Sequence, residues 1–273
     1  MKILNDITLG QYYPVDSFIH RLDPRTKVLV VFMTMMMFIL WNQLLGFLIA
    51  LIVLFLIVNI ARIPIALVAR NLRPFIWLFL ITILLHLFLT SKDGGVFLIP
   101  IIGIELPTQG LRLGVLYSLR LAVLIIIAAL LTLTTSPMEL TDAMERFLKP
   151  LQKLGISTHE FTMMITLSLR FIPTLIFEAD KLQKAQVSRG ARFEGNIVQR
   201  IKSVIPLILP LFISVFRRAD ELALAMDARC YIGGRNRTSF KKLVFHRHDY
   251  FVLAGALIVY TAAIVFATNV FEN

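Results

Sequence analysis

Long apolar stretches separated by short polar breaks dominate the first half of the chain and return near its end. A membrane-spanning helix needs about 20 mostly apolar residues, and about 17 can be enough. Only Asn42-Gln43 separates the first two stretches, so we expect them to form a tight hairpin. The pattern predicts spanning helices at 28–41, 44–60, 74–90, 111–135 and about 250–268. Because 28–41 is short for a span, we expect its helix to start a turn earlier, near Pro24.

Residues 136–249 have a different pattern, with shorter apolar blocks and many polar positions. Ser136-Pro137-x-Glu139 has the composition of a helix start, and Ser157-Thr158-x-Glu160 repeats it. The first of the resulting helices is amphipathic and suits a membrane interface. The segment predicts three helices, at about 137–150, 157–190 and 197–230.

The second and third of these helices each begin with an apolar half, 161–177 and 204–216, and end with a polar half. Thirteen residues are too few to span a bilayer, and Arg170 lies within the first apolar half, where lipid contact costs about 3 kcal/mol or more. We therefore expect both helices to lie along the inner membrane face, with spanning as the less favoured alternative. Three prolines are expected to bend them and free backbone carbonyls for interaction: Pro173, Pro206 and Pro210.

The charge distribution predicts which side of the membrane each segment occupies. Hydrophobic residues make up 58% of the chain, charged residues only 16%, and the net charge is +11. Four Lys and Arg lie in 1–27, three follow the second apolar stretch, two lie in 91–112 and eighteen in 136–249. Cytoplasmic loops are rich in Lys and Arg. The pattern predicts a multi-pass membrane protein with a cytoplasmic N-terminus, five crossings and an external C-terminus, whose basic surface meets membrane lipid and no nucleic acid.

No motif in the chain carries catalytic chemistry. The GxxxxGK phosphate loop is absent, so the sequence offers no nucleotide-binding motif. The single cysteine, Cys230, excludes an internal disulfide and a cysteine-cluster metal site. His246 and His248 lack neighbouring ligands, which favours an interfacial role over a metal site. An intramembrane enzyme would need a nucleophile and a base at matching depth, and none is evident.

Two polar side chains in the predicted spanning helices remain open to interpretation. Arg120 must face a partner, the interior of the bundle or water, because contact with lipid is costly. A functional site and a structural ion pair both fit this residue. His86 stands alone near the end of the third stretch and is expected to pack or to bond a loop carbonyl.

The polar halves of the two long helices resemble each other at an offset of forty residues. The matching residues are Ala179-Asp180 with Ala219-Asp220, Leu182 with Leu222, Ala185 with Ala225 and Arg189 with Arg229. The helices end in the triplets Ser188-Arg189-Gly190 and Ala228-Arg229-Cys230. One arginine in a last turn is explained by the helix dipole. A pair with small neighbours indicates two anchors for a partner with two equivalent pockets, because guanidinium presents a planar fork of donors.

With these features the chain resembles the transmembrane T component of energy-coupling factor (ECF) transporters. The two triplets resemble the paired Ala-Arg-Gly motifs of that family, with Ser188 in place of Ala and Cys230 in place of Gly. Loss of the glycine leaves the termination of the third helix open. The order of apolar helices, long basic segment and last spanning helix is also similar. The family's N-terminal motif is matched by Tyr13-Pro14-x-x-Ser17-x-x-His20-x-Leu22-Asp23-Pro24-Arg25-x-Lys27.

The resemblance implies a non-catalytic coupling subunit in a prokaryotic cell membrane. Such a T component joins two ABC-type ATPase subunits, identical or different, to one membrane-embedded substrate-binding S component. Arg189 and Arg229 would insert into grooves of the two ATPases, which bind ATP and Mg. Closure of the ATPase dimer would move the coupling helices and reorient the S component, importing a vitamin or another micronutrient such as a metal ion. The chain itself would bind no cofactor.

The fold expected is an all-α integral membrane protein with about five spanning helices and long coupling helices on the cytoplasmic face. It divides into 1–135, 136–249 and 250–273. Methionine-rich surfaces repack against different partners. Four methionines and two prolines are therefore candidates for contact with the S component, and ordinary lipid contact or core filling is the alternative for the methionines. The candidates are Met33, Met36, Met163, Met164, Pro206 and Pro210. A secondary carrier or channel acting alone is the alternative, although the spanning helices show neither an acid pair nor inverted halves.

Overall fold

Helices form nearly all of the described part of the chain, in agreement with the predicted all-α class. The computed structural model describes residues 12–90, 96–99, 104–155, 157–191, 197–233 and 245–271. The α-helices are α1 (Phe18–Arg21), α2 (Pro24–Leu40), α3 (Leu44–Ile60), α4 (Ile65–Leu72), α5 (Ile76–Leu89), α6 (Thr108–Thr134), α7 (Pro137–Leu148), α8 (Thr158–Ser188), α9 (Ile197–Asp227) and α10 (Arg247–Phe271). Short 3₁₀ helices cover Arg73–Phe75 and Lys149–Leu154. The strands β1 (Val96–Ile99) and β2 (Ile104–Pro107) pair antiparallel.

α2 begins at Pro24, which confirms the prediction that this helix starts a turn before the apolar stretch 28–41. Asp23 caps it by accepting a hydrogen bond from the N–H of Arg25, and proline suits the first helical position. The third apolar stretch, predicted at 74–90, is the second part of a longer segment. Helical structure runs from Ile65 through the 3₁₀ turn to Leu89.

Three helical segments in the described residues are long and apolar enough to cross a membrane: Ile65–Leu89, Thr108–Thr134 and Thr158–Ser188. Leu44–Ile60 is apolar but shorter. α8 therefore meets the requirements of length and composition for a span, which was the less favoured alternative for this helix. As predicted, the apolar half 161–177 lies within one long helix, Thr158–Ser188, of 31 residues.

Contacts between residues divide the chain into two units. One, the N-terminal bundle, contains the described residues of Gln11–Ser136 and Lys242–Asn273. The other, the paired-helix unit, contains the described residues of Pro137–Lys241. The last helix thus groups with the first four apolar stretches, whereas the division into 1–135, 136–249 and 250–273 stays a prediction.

The core of the N-terminal bundle lies where α3 and α2 pack against α6. Phe47 of α3 and Val123 of α6 are fully buried there, and Phe38 of α2 lies against the ring of Phe47 at 5.6 Å between centroids. α10 packs on α2. The side chain of Thr26 is also fully buried, at the N-terminal end of α2.

A glycine allows α5 and α6 to approach closely. A Cβ atom on Gly114 would lie 2.9 Å from the Cα of Ile83 and 3.2 Å from its carbonyl oxygen. Small residues at helix contacts permit such backbone approach in membrane proteins. One turn further along α5, the ring of His86 stacks on Tyr117 of α6 at 4.8 Å, and its Nδ1 lies 2.9 Å from the Thr82 carbonyl. His86 therefore packs as expected, but it bonds a helix carbonyl rather than a loop carbonyl.

The outer faces of the bundle are apolar. α5 buries none of its residues, and Trp77 on this helix is 74% exposed. α3 likewise exposes large aliphatic side chains such as Leu45 and Ile52. Soluble proteins rarely expose contiguous apolar surfaces of this size. The bundle is therefore built for lipid or for other membrane proteins, as an integral membrane protein requires.

Candidate docking site: two arginine-tipped helix ends

The two predicted arginine anchors lie at the C-terminal ends of α8 and α9, the two long helices of the paired-helix unit. Each helix has 31 residues. α8 begins after Ser157, which stands at the N-cap as predicted but makes no capping bond with its side chain. Thr158 instead accepts a hydrogen bond from Gln152 Nε2 at 2.7 Å, and the buried hydroxyl of Thr162 donates to the Thr158 carbonyl. These contacts fix the start of α8 against the segment that follows α7.

Both helices end in the same hydrogen-bonded turn, a Schellman motif. In each, one amide bonds the carbonyl five residues earlier, and the preceding amide bonds the carbonyl three residues earlier. The four bonds are Ala191 N to Gln186 O (3.0 Å), Gly190 N to Val187 O (2.9 Å), Tyr231 N to Met226 O (3.1 Å) and Cys230 N to Asp227 O (2.9 Å). Every position in one motif is forty residues from its counterpart in the other.

Cys230 stands where the family motif has glycine, and it still adopts the left-handed backbone conformation that ends the helix. Its φ is 54°, in the left-handed region, and the φ of Gly190 at the equivalent position is 87°. A residue with a Cβ is strained in this region by about 1–2 kcal/mol. The turn forms nonetheless, so the chain places Arg189 and Arg229 in equivalent backbone positions, one residue before the left-handed residue.

All six residues of the two triplets are exposed: Ser188, Arg189, Gly190, Ala228, Arg229 and Cys230. The small residues beside each arginine leave its guanidinium accessible from several directions. Within the described residues, no ion pair holds either guanidinium. Two charged forks are thus presented to the surroundings, in agreement with the sequence prediction, while their role in binding stays a prediction.

α8 and α9 run antiparallel. Near the start of α8, Met163 Sδ accepts a hydrogen bond from the hydroxyl of Tyr231, which follows the end of α9, at 3.1 Å. In the later part of α8, Glu178 accepts from the hydroxyl of Ser214, and its Oε2 lies 3.6 Å from Arg218 Nη2. Residues early in α8 therefore contact the end of α9, and residues late in α8 contact earlier residues of α9.

The antiparallel arrangement places the two arginines at opposite ends of the helix pair. Arg189 lies eleven residues beyond Glu178 (178 to 189), and Arg229 lies eleven residues beyond Arg218 (218 to 229). At 1.5 Å per residue each arginine is about 16 Å from the Glu178–Arg218 contact, in opposite directions, so the two are separated by about 33 Å. The site is therefore a two-pronged surface.

α7 supports the beginning of α8 through charged and polar side chains. Glu145 of α7 accepts a hydrogen bond from His159 Nδ1 at 3.0 Å. Ala143 is fully buried on α7, and Thr141 is buried beside it in the same helix. The amphipathic helix predicted after Ser136 therefore serves as a platform for α8.

The residues nominated for S-component contact differ in their surroundings. Met36 is 42% exposed and Met33 half-buried, and both belong to the N-terminal bundle. Met164 is 65% exposed, whereas Met163 is half-buried and its sulfur accepts a hydrogen bond from the Tyr231 hydroxyl. Pro206 and Pro210 are exposed, yet both lie inside α9, which continues past them. The prolines therefore do not end α9, and the bend predicted at them stays a prediction.

The N-terminal motif is a structural junction in the N-terminal bundle. Lys27 is buried, and its Nζ donates to the carbonyls of His20 (3.0 Å) and Thr134 (2.9 Å). The Tyr13 N–H bonds the Leu133 carbonyl at 3.0 Å. Carbonyls in the last turn of a helix lack intrahelical donors, so the motif satisfies the end of α6. His20 is held within it by Ser17 Oγ at 2.7 Å from Nδ1.

Asp249, which the sequence argument did not single out, completes this junction from α10. Its carboxylate accepts hydrogen bonds from the Asp23 N–H (2.9 Å) and the His246 N–H (2.8 Å). Asp23 in turn holds Arg25 through two side-chain bonds of 3.1 and 2.9 Å, and the Arg25 guanidinium lies over Phe245 at 4.1 Å. His246 and Asp249 therefore cap α10, and the ring of His248 packs edge-on against Phe18. No grouping of three metal-ligating side chains occurs among the described residues.

Another aspartate in the region of the N-terminal motif, Asp16, forms an ion pair that is exposed to solvent. It pairs with Arg21 at 3.3 Å, and this hydrogen bond lowers the pKa of Asp16 and raises that of Arg21. Both side chains are largely exposed, so water screens the pair and its contribution to stability is small. The buried Asp23 and Asp249 are the acids that hold the junction.

Arg120 has a structural role in the bundle. Its Nη2 donates to the Trp41 carbonyl and to Asn42 Oδ1, the latter at 2.7 Å, and its guanidinium lies over Tyr117 at 4.9 Å. Arg120 therefore caps the turn between α2 and α3, and its partners are a carbonyl and an amide instead of an acid. The Trp41 ring covers Gly46, where a Cβ would lie 2.0 Å from the indole nitrogen.

Comparison with known proteins places the chain in a family. The family model CbiQ, described as "Cobalt transport protein", matches residues 16–240. The "Energy-coupling factor transporter transmembrane protein EcfT" of Acidaminococcus fermentans is 50% identical over 250 residues, covering 90% of this chain and 91% of that protein.

Two further proteins of the same description are similar over nearly their whole length. The one from Clostridium kluyveri is 43% identical over 267 residues, with 96% of this chain and 97% of that protein covered. The one from Bacillus subtilis is 42% identical over 267 residues, with 97% and 98% covered. The chain therefore belongs to the CbiQ family of energy-coupling factor transporter transmembrane proteins, as the sequence resemblance predicts, and it is a membrane component of a transport system.

Proposed function

We propose that this chain is the coupling subunit of an ECF-type ABC importer, joining two cytoplasmic ATPase subunits to one membrane-embedded S component. The observation that carries the proposal is the matched pair of helix ends. Arg189 and Arg229 have equivalent backbone geometry, are exposed and stand about 33 Å apart along an antiparallel pair. Two identical prongs suit a dimer with one pocket on each subunit, as two ABC-type ATPases provide.

The ATPases supply the chemical energy in this proposal, and the present chain transmits motion. ATP and Mg bind to the partner ATPases, since the chain has no phosphate loop of its own. Closure of the ATPase dimer changes the spacing of its two pockets and so moves α8 and α9. The concentration of Lys and Arg in 1–27 and 136–249 supports a cytoplasmic N-terminus and five crossings of a prokaryotic cell membrane.

The S component determines the cargo, which would be a vitamin or another micronutrient such as a metal ion. Exposed Met36 and Met164 offer adaptable apolar surface for it. Pro206 and Pro210 are exposed inside α9, and because proline donates no backbone hydrogen bond, carbonyl groups of the preceding turn are available for the same contact. Met33 and Met163 are half-buried and would contribute through repacking.

Replacement of both anchors tests the docking. We expect Arg189→Ala with Arg229→Ala to abolish co-purification of the ATPases in mild detergent, while membrane insertion and the S-component interaction persist. Arg170→Ala with Arg217→Ala is the matched control, because it removes the same charge from exposed positions of the same two helices. Retention of the ATPases by the Arg189 and Arg229 variant, at the level of the control, would refute the docking role.

A conservative variant separates shape from charge. Lysine keeps the positive charge but lacks the planar fork that makes paired hydrogen bonds. We expect Arg189→Lys with Arg229→Lys to recover only a minor part of ATPase binding. Full recovery would show that charge alone is recognised. The purified chain without ATPases is expected to hydrolyse no ATP, and activity in a clean preparation would contradict the non-catalytic role.

A further inference from the structure

We infer that Glu178 and Arg218 form the pivot of the α8–α9 pair, a positioning contact that sets the distance between the two arginine anchors. The inference rests on the proposed docking function. It concerns two residues that lie far from the helix ends and have no contact with the triplets. It is based on the positions of the two residues in the forty-residue repeat and on the side chains that contact them.

The two residues are counterparts in the forty-residue repeat (178 and 218) and they contact each other. In an antiparallel pair of repeated helices, a residue meets its own counterpart only at the local two-fold axis. Glu178 and Arg218 satisfy this condition, with Oε2 and Nη2 3.6 Å apart. The axis therefore passes close to this contact, and Arg189 and Arg229 lie at equal distances on either side of it.

The contact is partly exposed, with the side chain of Arg218 36% and that of Glu178 27% accessible to solvent, but one carboxylate oxygen is shielded. Glu178 Oε2 is buried and has no hydrogen-bond partner in the described residues, so the guanidinium of Arg218 is its compensating charge. Ser214 donates to the other carboxylate oxygen. Arg218 also lies over Phe171 of α8 at 6.0 Å from the ring centroid. Removal of Arg218 would leave the shielded Oε2 without its opposite charge, which favours the paired arrangement.

Apolar helix faces alone allow several registers, because sliding by one turn exchanges one aliphatic contact for another. Phe171 of α8 contributes apolar surface at this contact, since the guanidinium of Arg218 on α9 lies over its ring. A charged pair that forms in only one register favours that register over the others, as polar residues at helix contacts do in coiled coils. Sliding α9 by one turn relative to α8 would move the two anchors by about 5.4 Å relative to each other. The Glu178–Arg218 pair thus gives the apolar contact between α8 and α9 a single register, and with it a defined distance between Arg189 and Arg229.

The spacing is measurable on the full chain in lipid nanodiscs. Ser188→Cys and Ala228→Cys carry nitroxide labels, in a background in which Cys230→Gly removes the native thiol and suits the left-handed backbone there. Pulsed electron paramagnetic resonance is expected to give one narrow distance distribution. Glu178→Gln keeps the shape and the bond from Ser214 but loses the charge. We expect it to broaden the distribution or to shift its mean by several ångström, and Arg218→Ala to do the same.

Two controls isolate the pivot. Asp180→Asn removes an acid that pairs with Lys184 within α8, and Arg217→Ala removes the exposed neighbour of Arg218; both are expected to leave the distribution unchanged. The charge-reversed pair Glu178→Arg with Arg218→Glu is expected to restore the narrow distribution, and Arg218→Lys to retain most of it. An unchanged distribution in Glu178→Gln and Arg218→Ala, or no restoration by either rescue variant, would overturn the inference. The measurement needs no ATPase, so failure of the docking proposal appears separately, in co-purification.

Discussion

The carboxylate of Asp249, at the start of α10, accepts a hydrogen bond of 2.9 Å from the backbone N–H of Asp23, which caps α2. The two residues are 226 positions apart in the chain. Through this bond the last helix of the N-terminal bundle is attached to the first long one. Asp249 is only 1% exposed, so its charge is compensated almost entirely by donors of the protein.

Loss of the Asp249 carboxylate is expected to destabilise the bundle. Asp249→Ala leaves the N–H groups of Asp23 and His246 without their acceptor, which costs about 1–3 kcal/mol for each buried group left unsatisfied. Thermal denaturation in mild detergent, followed by loss of the monodisperse peak, should show a clearly lowered midpoint. Asp16→Ala, at an exposed ion pair, is the control and should change the midpoint little. Equal midpoints for the two variants would contradict the structural role of Asp249.

Gly114→Ala is expected to disrupt the α5–α6 contact. The new Cβ would meet the backbone of Ile83 at 2.9 Å, and the helices would have to separate, at a cost typical of overpacking, about 1–3 kcal/mol. Gly255→Ala in α10 is the matched control, since no atom lies within 4 Å of its Cβ position and alanine favours a helix. The first variant should lose thermal stability while the second keeps or gains it. An unchanged thermal stability of Gly114→Ala would show that α5 and α6 approach each other less closely at this glycine.

The two Schellman motifs should respond oppositely to exchange of their left-handed residues. Gly190→Ala introduces a Cβ at φ 87° and is expected to weaken the end of α8 by about 1 kcal/mol. Cys230→Gly relieves the same strain at φ 54° and should leave the end of α9 as stable as before or slightly more so. Amide hydrogen exchange at Ala191 and Tyr231 reports the two turns separately. Faster exchange at Tyr231 in Cys230→Gly would be the contrary result.

Arg120→Ala is expected to loosen the turn between α2 and α3 without affecting ATPase docking. The Trp41 carbonyl and the Asn42 side chain lose a charged donor, which is worth about 1.5–3 kcal/mol. Arg112→Ala, an exposed position on the same helix, is the control. A lower thermal midpoint with normal ATPase co-purification is expected for Arg120→Ala alone. Loss of transport with unchanged stability would instead restore the functional reading of this arginine.

Periodicity and local chemistry were sufficient to predict the helices, since their signals are local. Apolar stretches of sufficient length placed α2, α3, α5, α6 and α10, and Pro24 placed the start of α2. The arginine triplets were also visible, because helix ends carry characteristic small residues. The comparison of the two long helices at an offset of forty residues did not reveal the Glu178–Arg218 contact. A search for identical residues at an offset of forty passes over two counterparts that carry opposite charges.

The sequence by itself therefore determined the membrane class, the positions of the helices, the family and the pair of matched arginine triplets, because hydrophobic length, helix signals and motifs are properties of neighbouring residues. Only the tertiary structure decided that Lys27 and Asp249 close the bundle, that Arg120 caps a turn and that Cys230 adopts the glycine conformation. These outcomes depend on donors and acceptors that are distant in the chain. A buried polar group must find a partner somewhere, but its own neighbourhood in the sequence does not say which one.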